Sequence, residues 1–195
     1  MLDYSVVPCE RKEVAKFIEE HHYSKNMNGV NTSYAFKLLD GDKLIGAMIY
    51  GRLGMANVWK AYGKNIEDVI ELKRLCCIDD TKKNTESFFI GKTLRWLKRN
   101  TKIRTVVSYA DPYYGHEGTI YKATNFTYEG TTAPAIHILY NNRVYHNKTP
   151  RNKYKGKLKP YALKIKNALE TGEAVWVKTP GKHIYTYQLR RRRGC

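Results

Sequence analysis

Two stretches of the chain carry hydrophobic side chains at the spacing of an α-helix. In residues 10–22 and 87–99, apolar positions recur every three or four residues, and charged side chains occupy the positions between them. Each stretch therefore predicts an amphipathic helix with one buried face. Asn84 or Thr85 is a suitable N-cap for the second helix. The buried positions are Val14, Phe17, Ile18 and His21 in the first stretch and Ile90, Leu94 and Leu97 in the second.

Other apolar stretches lack helical spacing and predict β-strands. Residues 34–39 and 43–50 flank an Asp-Gly-Asp turn sequence, which favours a hairpin. Residues 70–78 and 103–110 predict two more strands, and the dense apolar residues of the second indicate burial on both faces. Because the helix at 87–99 lies between them, we expect these two strands to be parallel, joined by a βαβ crossover.

The remaining elements complete a mixed α/β pattern. The chain contains neither the GxGxxG fingerprint nor the GxxxxGK[ST] phosphate loop, which argues against hydride transfer and nucleotide hydrolysis. We predict an α+β mixed sheet in a single domain, with a central βαβ crossover and helices on both faces. The later predicted elements are helices at 119–124 and 160–170 and strands at 126–129, 135–145 and 185–189.

The composition is that of a folded protein without a membrane span. The 195 residues are 42% hydrophobic, enough to bury a core. No apolar run approaches the roughly 18 residues of a membrane helix, and the N-terminus lacks the layout of a secretion signal. We therefore expect a soluble protein of the cytoplasm. The four cysteines and six histidines show neither a disulfide framework nor zinc-site spacing.

Positive charge is concentrated in the last part of the chain. The net charge is +17, and the residues after 140 hold fifteen Lys or Arg against two Glu. Tyrosines are interleaved with these cations, so phosphate contacts and base stacking are both available. We predict a core at 1–140 and a basic part at 141–195, packed on the core, contacting nucleic acid and ending in a flexible Arg tail. The candidate contacts are Arg52, Arg143, Lys148, Arg151, Lys153, Lys155, Lys157 and Lys182.

The end of the strand at 103–110 is the first candidate site for chemistry. Asp111 follows that strand directly, where catalytic groups of open α/β sheets commonly lie. His116 follows in a Gly-flanked loop and titrates near neutrality, and a nearby carboxylate could orient it as a base. An Asp-Pro turn and a lone surface histidine explain the same residues without function, so both interpretations stay open.

Two further segments could bind ligands. His21, His22 and Tyr23 end the first helix, where the helix dipole favours a protonated imidazole and where paired rings could also hold a metal. The start of the helix at 87–99 offers free N–H groups to an anion such as a pyrophosphate. The residues assigned to this donor-binding role are Lys82, Lys83, Asn84, Thr85 and Ser87, with Ser108 on the neighbouring strand.

The order of these parts resembles the GNAT acyltransferases. Their short helix after the βαβ crossover carries a tyrosine shortly before a Gly-Phe pair, and Tyr121 matches that tyrosine, with Asn125 and Phe126 in place of the pair. The resemblance implies an acyl-CoA donor and a Tyr121 phenol that protonates the departing thiolate. The family's pyrophosphate pattern is missing, since the loop here is TKKNTES.

A narrower resemblance is to the Mom family of phage DNA-modification proteins. It is carried by IELKRLCC, NTES and SYADPYYGHEGTIYKATNF. The resemblance implies transfer of a carbamoylmethyl (acetamido) group to adenine N6 in double-stranded DNA, which protects phage DNA from restriction in the host cytoplasm. Adenine N6 is a poor nucleophile and needs a base. The catalytic candidates are Asp111, His116, Tyr121, His22 and Tyr23.

The donor and the reaction stay open at this point. Acetyl-CoA, a related acyl donor and a glycyl donor are all compatible with the resemblance, as is a metal such as iron held by His21 or His22. Acetyl transfer would give an N-acetyl adenine, whereas carbamoylmethylation forms a bond to an α-carbon. Two other functions remain: a GNAT N-acetyltransferase acting on a protein or small amine, and a non-enzymatic nucleic-acid-binding protein.

Overall fold

The fold was determined as a computed structural model that describes residues 2–189. None of the helices in that range is both long and apolar enough to cross a membrane. The helices are α1 (Arg11–His21), α2 (Thr85–Asn100), α3 (Thr119–Ala123) and α4 (Pro160–Glu170). The strands are β1 (Ser5–Cys9), β2 (Tyr34–Asp40), β3 (Lys43–Gly51), β4 (Val69–Cys77), β5 (Thr105–Ala110), β6 (Thr127–Thr131), β7 (Ala135–Tyr140), β8 (Arg143–His146), β9 (Lys153–Tyr154), β10 (Lys157–Leu158), β11 (Val175–Thr179) and β12 (His183–Gln188).

The main sheet has seven strands in the order β1-β2-β3-β4-β5-β12-β6. The pairs β1–β2, β2–β3, β3–β4 and β5–β12 are antiparallel, whereas β4 and β5 are parallel. The α2 helix connects these two parallel strands, so the predicted βαβ crossover is confirmed. The mixed sheet brings the carboxyl ends of β4 and β5 to the same edge of the sheet.

Helices cover both faces of this sheet, as the alternation of side chains along β3 shows. Ala47 and Ile49 pack into a buried cluster with Val14 and other residues of α1. Met48 and Tyr50 point the other way, into a larger cluster with the apolar side of α2. The Tyr50 hydroxyl also shares a 2.8 Å hydrogen bond with the Thr93 hydroxyl of α2. The predicted helices and the two-sided core are therefore confirmed.

A second compact unit comprises Thr131–Lys182, and the first comprises, of the described residues, 2–130 together with 183–189. In the second unit β7 lies between β11 and β8 in an antiparallel sheet. Ile138 of β7 is buried with Ile165 of α4. These bounds differ from the division expected at residue 140, because β7 pairs inside the second unit and β12 returns to β5 of the main sheet.

The prediction of one strand at residues 135–145 was wrong. The segment folds as the hairpin β7–β8, because Asn141 and Asn142 both adopt the left-handed conformation, with φ of 47° and 57°. Two such residues in succession form the tight turn that asparagine favours in hairpins. The strands β1 and β11 were also missed. The predicted Arg tail at 190–193 lies outside the described residues.

Candidate active site

A gap opens in the main sheet where β4 and β5 diverge. Their parallel ladder runs from Val69 and Thr105 to Leu72 and Ser108, although β4 continues to Cys77. Directly after the ladder, Lys73 is an extra residue in β4, because Leu72 pairs with Tyr50 and Arg74 with Ile49 on the β3 side. Such a bulge bends a strand and redirects its side chains.

A cavity of about 580 Å³ occupies this region of the first unit. Its walls come from the divergent strand ends, the start of α2, the end of α1 and the loop that leads into α3. The structure thus brings five sequence-predicted catalytic residues from separate segments to one cavity. They are His22, Tyr23, Asp111, His116 and Tyr121.

Asp111 is buried at the end of β5 and organises the turn that follows. Its carboxylate Oδ1 accepts a hydrogen bond from the Tyr113 N–H at 3.2 Å. Its carbonyl oxygen accepts from the N–H groups of Tyr114 at 3.1 Å and His116 at 3.2 Å. Gly115 closes the turn in the left-handed conformation, with φ of 76°. The Asp-Pro turn and the candidate catalytic carboxylate are therefore the same feature.

His22 and Tyr23 reach the cavity from the end of α1, far from Asp111 in sequence. The Nδ1 atom of His22 lies 2.8 Å from the Ser24 hydroxyl, and burial lowers the His22 pKa to about 3. Burial, with the negative charge of Asp111, raises the Tyr23 pKa to about 12. The Arg11 guanidinium holds the following loop by donating to carbonyl oxygens of Met27 and Val30. At neutral pH the His22 and Tyr23 rings are therefore both uncharged.

The low pKa of His22 predicts a pH dependence of stability. The unfolded chain binds a proton at this histidine below about pH 6.5, whereas the folded protein resists protonation down to about pH 3. Between those values stability therefore falls with falling pH, by about 1.4 kcal/mol per pH unit from this group. We expect the His22→Gln variant to lose less stability between pH 7 and about pH 5 than the native chain does. Urea unfolding of both proteins at the two pH values measures this difference. Equal losses in both proteins would contradict this prediction.

Tyr121 lies on the short helix α3 and faces the cavity. Its ring packs 5.2 Å from the ring of Tyr185 and 5.4 Å from that of Phe126. Burial raises its pKa, although a hydrogen bond with Ser108 opposes the shift. Gly118 precedes the helix with φ of 73°, and a Cβ atom there would overlap the Tyr185 ring. The phenol is therefore protonated and fixed in place.

Arg74 is a cavity residue that the sequence analysis did not select. Its Nη1 atom donates to the Lys73 carbonyl at 2.7 Å, whereas its Nε atom is buried and, among the described residues, has no hydrogen-bond partner. Burial lowers its pKa, and the nearby Tyr23 and Glu71 oppose that shift. Arg74 lies within the IELKRLCC motif that carries the family resemblance. Its place at the cavity depends on the strand bulge, which is a tertiary feature. A buried donor without a partner is suited to an acceptor on a ligand.

Some of the residues predicted to bind the donor line the cavity, and others do not. Asn84 and Ser87, at the start of α2, line the cavity. Thr85 is buried and its hydroxyl donates to the Lys82 carbonyl, which closes the turn before the helix. The Lys82 ammonium lies 5.9 Å from the Tyr4 ring, and Lys83 is exposed. Ser108 is buried, its hydroxyl donates to the Leu72 carbonyl, and it is not among the residues that line the cavity.

The two histidines considered as metal ligands, His21 and His22, lie in different environments. His21 is exposed and its ring packs 4.4 Å from Phe17, whereas His22 is buried against Ser24. Within residues 2–189, no group of three or more His, Cys, Asp or Glu side chains is placed to hold a metal ion. An iron site at these histidines is therefore not supported.

The candidate nucleic-acid contacts are exposed cations. Arg52 lies in the first unit. The second unit contains eleven Lys or Arg against two Glu, a net charge of +9 within Thr131–Lys182. It also exposes three aromatic rings, those of Tyr154, Tyr161 and Trp176. The exposed candidates in that unit are Arg143, Lys148, Arg151, Lys153, Lys155, Lys157 and Lys182.

Comparison with solved structures defines the class of fold. The ribosomal-protein-S5-alanine acetyltransferase of Vibrio fischeri matches with a TM-score of 0.56 and 10% identity, over 98% of this chain and 96% of its own. The putative acetyltransferase yncA from Salmonella typhimurium, solved with acetyl-CoA, also gives 0.56, at 8% identity, over 100% of this chain and 98% of its own. The protein has the fold of the GNAT acetyltransferases.

Within that fold class, the sequence identifies a particular family. The model of the Mom protein family matches residues 3–194, so the chain belongs to the Mom family. The methylcarbamoylase mom of Escherichia phage Mu is 29% identical over 118 residues, which are 58% of this chain and 48% of that relative. The match thus spans about half the length of the phage Mu protein. The resemblance drawn from the central motifs is confirmed.

Proposed function

We propose that this protein is a DNA-modifying transferase that adds a carbamoylmethyl group to adenine N6 in double-stranded DNA and so protects phage DNA from restriction. The observation that carries the proposal is the cavity, where Asp111, Tyr121 and two imidazoles converge in a member of the Mom family. The name of the phage Mu relative, a methylcarbamoylase, supports the chemical class of the transferred group.

Each cavity side chain has a chemical role in this proposal. Asp111 accepts a hydrogen bond from the exocyclic amine and takes its proton as the new N–C bond forms. Tyr121 stays protonated and donates to the leaving group. His22 is neutral at physiological pH, so it does not repel Arg74, and because its Nδ1 accepts from the Ser24 N–H at 3.1 Å, its Nε2–H is the group left to donate. Because the target amine lies inside a duplex, the base must leave the stack to reach these groups.

The donor binds between the divergent strands and the start of α2. GNAT proteins solved with acetyl-CoA, including Arabidopsis thaliana NAA60 with a TM-score of 0.54, support an acyl-CoA or related donor for this fold. An acyl thioester transfers its carbonyl carbon and would leave an N-acetyl adenine. The carbamoylmethyl product instead joins N6 to the α-carbon of a two-carbon amide. The donor must therefore be a two-carbon amide with a leaving group on its α-carbon. The bond to that group breaks as the N6–carbon bond forms, Asp111 takes the N6 proton and Tyr121 protonates the departing group.

The test is mass spectrometry of nucleosides from DNA of cells that express the protein. We expect an adenosine derivative that carries a carbamoylmethyl group, which is heavier than an acetyl group by one NH unit. Fragmentation that leaves the modification on the base places it at adenine. Unmodified nucleosides from a host that makes the Mom-type modification with the phage Mu protein would refute the proposal.

The basic second unit supplies the proposed contacts to DNA phosphates, which predicts a change in salt dependence. Replacing Lys153 and Lys155 with Gln should weaken DNA binding and lower the slope of log affinity against log salt by about two. The matched control replaces Lys12 and Lys16, which pair with Glu10 and Glu20, and should leave the slope nearly unchanged. Equal slopes for the native chain and the Lys153/Lys155 variant, measured by fluorescence anisotropy, would contradict this assignment.

An N-acetyltransferase is the second candidate, because the strand divergence and Tyr121 also suit simple acetyl transfer. It predicts CoA release with a protein or polyamine acceptor and no altered adenosine. The same expression experiment separates the two activities, since acetylated amines and modified nucleosides are detected independently.

A further inference from the structure

Three exposed tyrosine rings contact one another beside the cavity, with interplanar angles of 41° between Tyr23 and Tyr114 and 82° between Tyr114 and Tyr113, so each offers a separate ring face. Tyr23 lines the cavity, and its ring lies 4.7 Å from that of Tyr114, which in turn lies 5.2 Å from that of Tyr113. The three side chains are 41%, 41% and 40% exposed, respectively. We call Tyr23, Tyr113 and Tyr114 the tyrosine platform. The reaction proposed above assigns no step to Tyr113 or Tyr114.

We propose that the tyrosine platform stacks a nucleobase of the DNA, the extruded adenine or the base beside it, at the mouth of the cavity. This inference rests on the proposed function for the choice of DNA as the ligand. Aromatic side chains that stack bases are the common means by which proteins hold unpaired nucleotides. The platform therefore assigns a binding role to residues that do not carry out the transfer.

The backbone beneath the platform is held rigidly. The N–H groups of Tyr113 and Tyr114 are bound by the side chain and the carbonyl of Asp111, and Gly115 N–H donates to the Pro112 carbonyl at 3.0 Å. The two rings are thus exposed on a closed turn, and binding a base costs little ordering of the chain. Because the same Asp111 supports the turn and lines the cavity, a stacked base is positioned relative to the carboxylate.

The tyrosine platform carries no negative charge, which suits the binding of a base that is attached to phosphates. Tyrosine phenols are neutral at physiological pH, and partial burial together with the Asp111 charge raises the pKa values of Tyr23 and Tyr114 further. The platform therefore does not repel a polyanion, and the chain as a whole carries a net charge of +17. His22 and His116 extend the ring contacts into the cavity, at 4.2 Å and 4.7 Å from Tyr23.

The test compares two single-stranded oligonucleotides of equal length and phosphate number, one of adenines and one with abasic sites at its centre. Affinities are measured by fluorescence anisotropy without donor, so turnover is not required. We expect the native chain to prefer the adenine strand, and Tyr113→Leu or Tyr114→Leu to reduce that preference by about tenfold per ring. Tyr113→Phe and Tyr114→Phe keep the rings and should retain it. Thermal melting checks that all four variants are folded.

Several outcomes would overturn the proposal. One is equal binding of both strands by the native chain, and another is an unchanged preference in the Leu variants. Loss of acetyl-CoA affinity with an intact adenine preference would assign the rings to the adenine of a cofactor instead. The proposed function is tested by a separate result. If the Leu variants lose the adenine preference but no modified adenosine forms, the stacking role of the platform is supported and the proposed reaction is refuted.

Discussion

We expect Asp111→Asn to abolish the proposed DNA modification while leaving the fold intact. The amide oxygen of the substituted side chain still accepts the Tyr113 N–H, so the turn after β5 keeps its cap. The negative charge that we propose takes the N6 proton is lost, and removal of a positioned base typically lowers the rate by about 10²–10⁴-fold. The measurement is the fraction of modified adenosine in DNA from expressing cells, with thermal melting of the purified variant as the test of folding.

Two further variants help to separate the effect of the Asp111 negative charge from the effect of its hydrogen bond to the turn after β5. Asp111→Ala removes both and should also lose about 1 kcal/mol of stability. The matched control is Asp68→Asn, because Asp68 accepts the Asn65 N–H at 3.0 Å in another short turn and is not a cavity residue. We expect nearly full modification by that control. Full modification by Asp111→Asn would show that the carboxylate only shapes the turn.

We expect Arg74→Met to lower the proposed modification about 100-fold and to leave stability unchanged or higher. The Nε atom of Arg74 is buried without a partner among the described residues, and such an atom costs roughly 1–3 kcal/mol. Removing it relieves that cost, whereas the cavity loses a cation that can stabilise negative charge developing in the transition state. Opposite effects on stability and activity distinguish a ligand-binding arginine from a structural one.

Stability is measured by urea unfolding, and activity is measured as the fraction of modified adenosine in DNA from expressing cells. Arg104→Met serves as the control, because Arg104 is half exposed and pairs with Asp68 at 3.4 Å on the surface. Its loss removes one positive charge with little effect on either measurement. Arg74→Lys keeps the charge and should retain part of the activity. A strongly destabilised Arg74→Met whose folded fraction remains fully active would contradict the assignment.

The catalytic candidates could be predicted where local sequence carried the signal. Asp111 was selected because it follows a strand with dense apolar residues. Tyr121 was selected because the resemblance to the GNAT acyltransferases implies a tyrosine on the short helix after the βαβ crossover. Arg74 lies in the IELKRLCC motif but was not selected as a candidate, because its placement at the cavity depends on the bulge at Lys73 and on the register with β3. Nor could local sequence separate Asn84 and Ser87, which line the cavity, from Thr85, which closes a turn.

Local patterns were also insufficient where pairing partners decide the structure. The run at residues 135–145 is apolar enough for one strand, but two left-handed asparagines turn it into a hairpin. The boundary of the second unit follows from the pairing of β7 with β11 and of β12 with β5. Such pairs join residues that are distant in sequence, and periodicity carries no information about them.

The sequence by itself determined the helices and central strands, the faces that they bury, the basic charge of the later part and the family. These properties depend on side-chain period, composition and motif, all of which are local. Only the tertiary structure decided that His22 and Tyr23 join Asp111 and Tyr121 around one cavity, that the Arg74 Nε atom lacks a partner among the described residues and that three tyrosines form a platform. Those facts depend on the order of strands in the sheet and on the divergence of β4 from β5, which long-range packing sets.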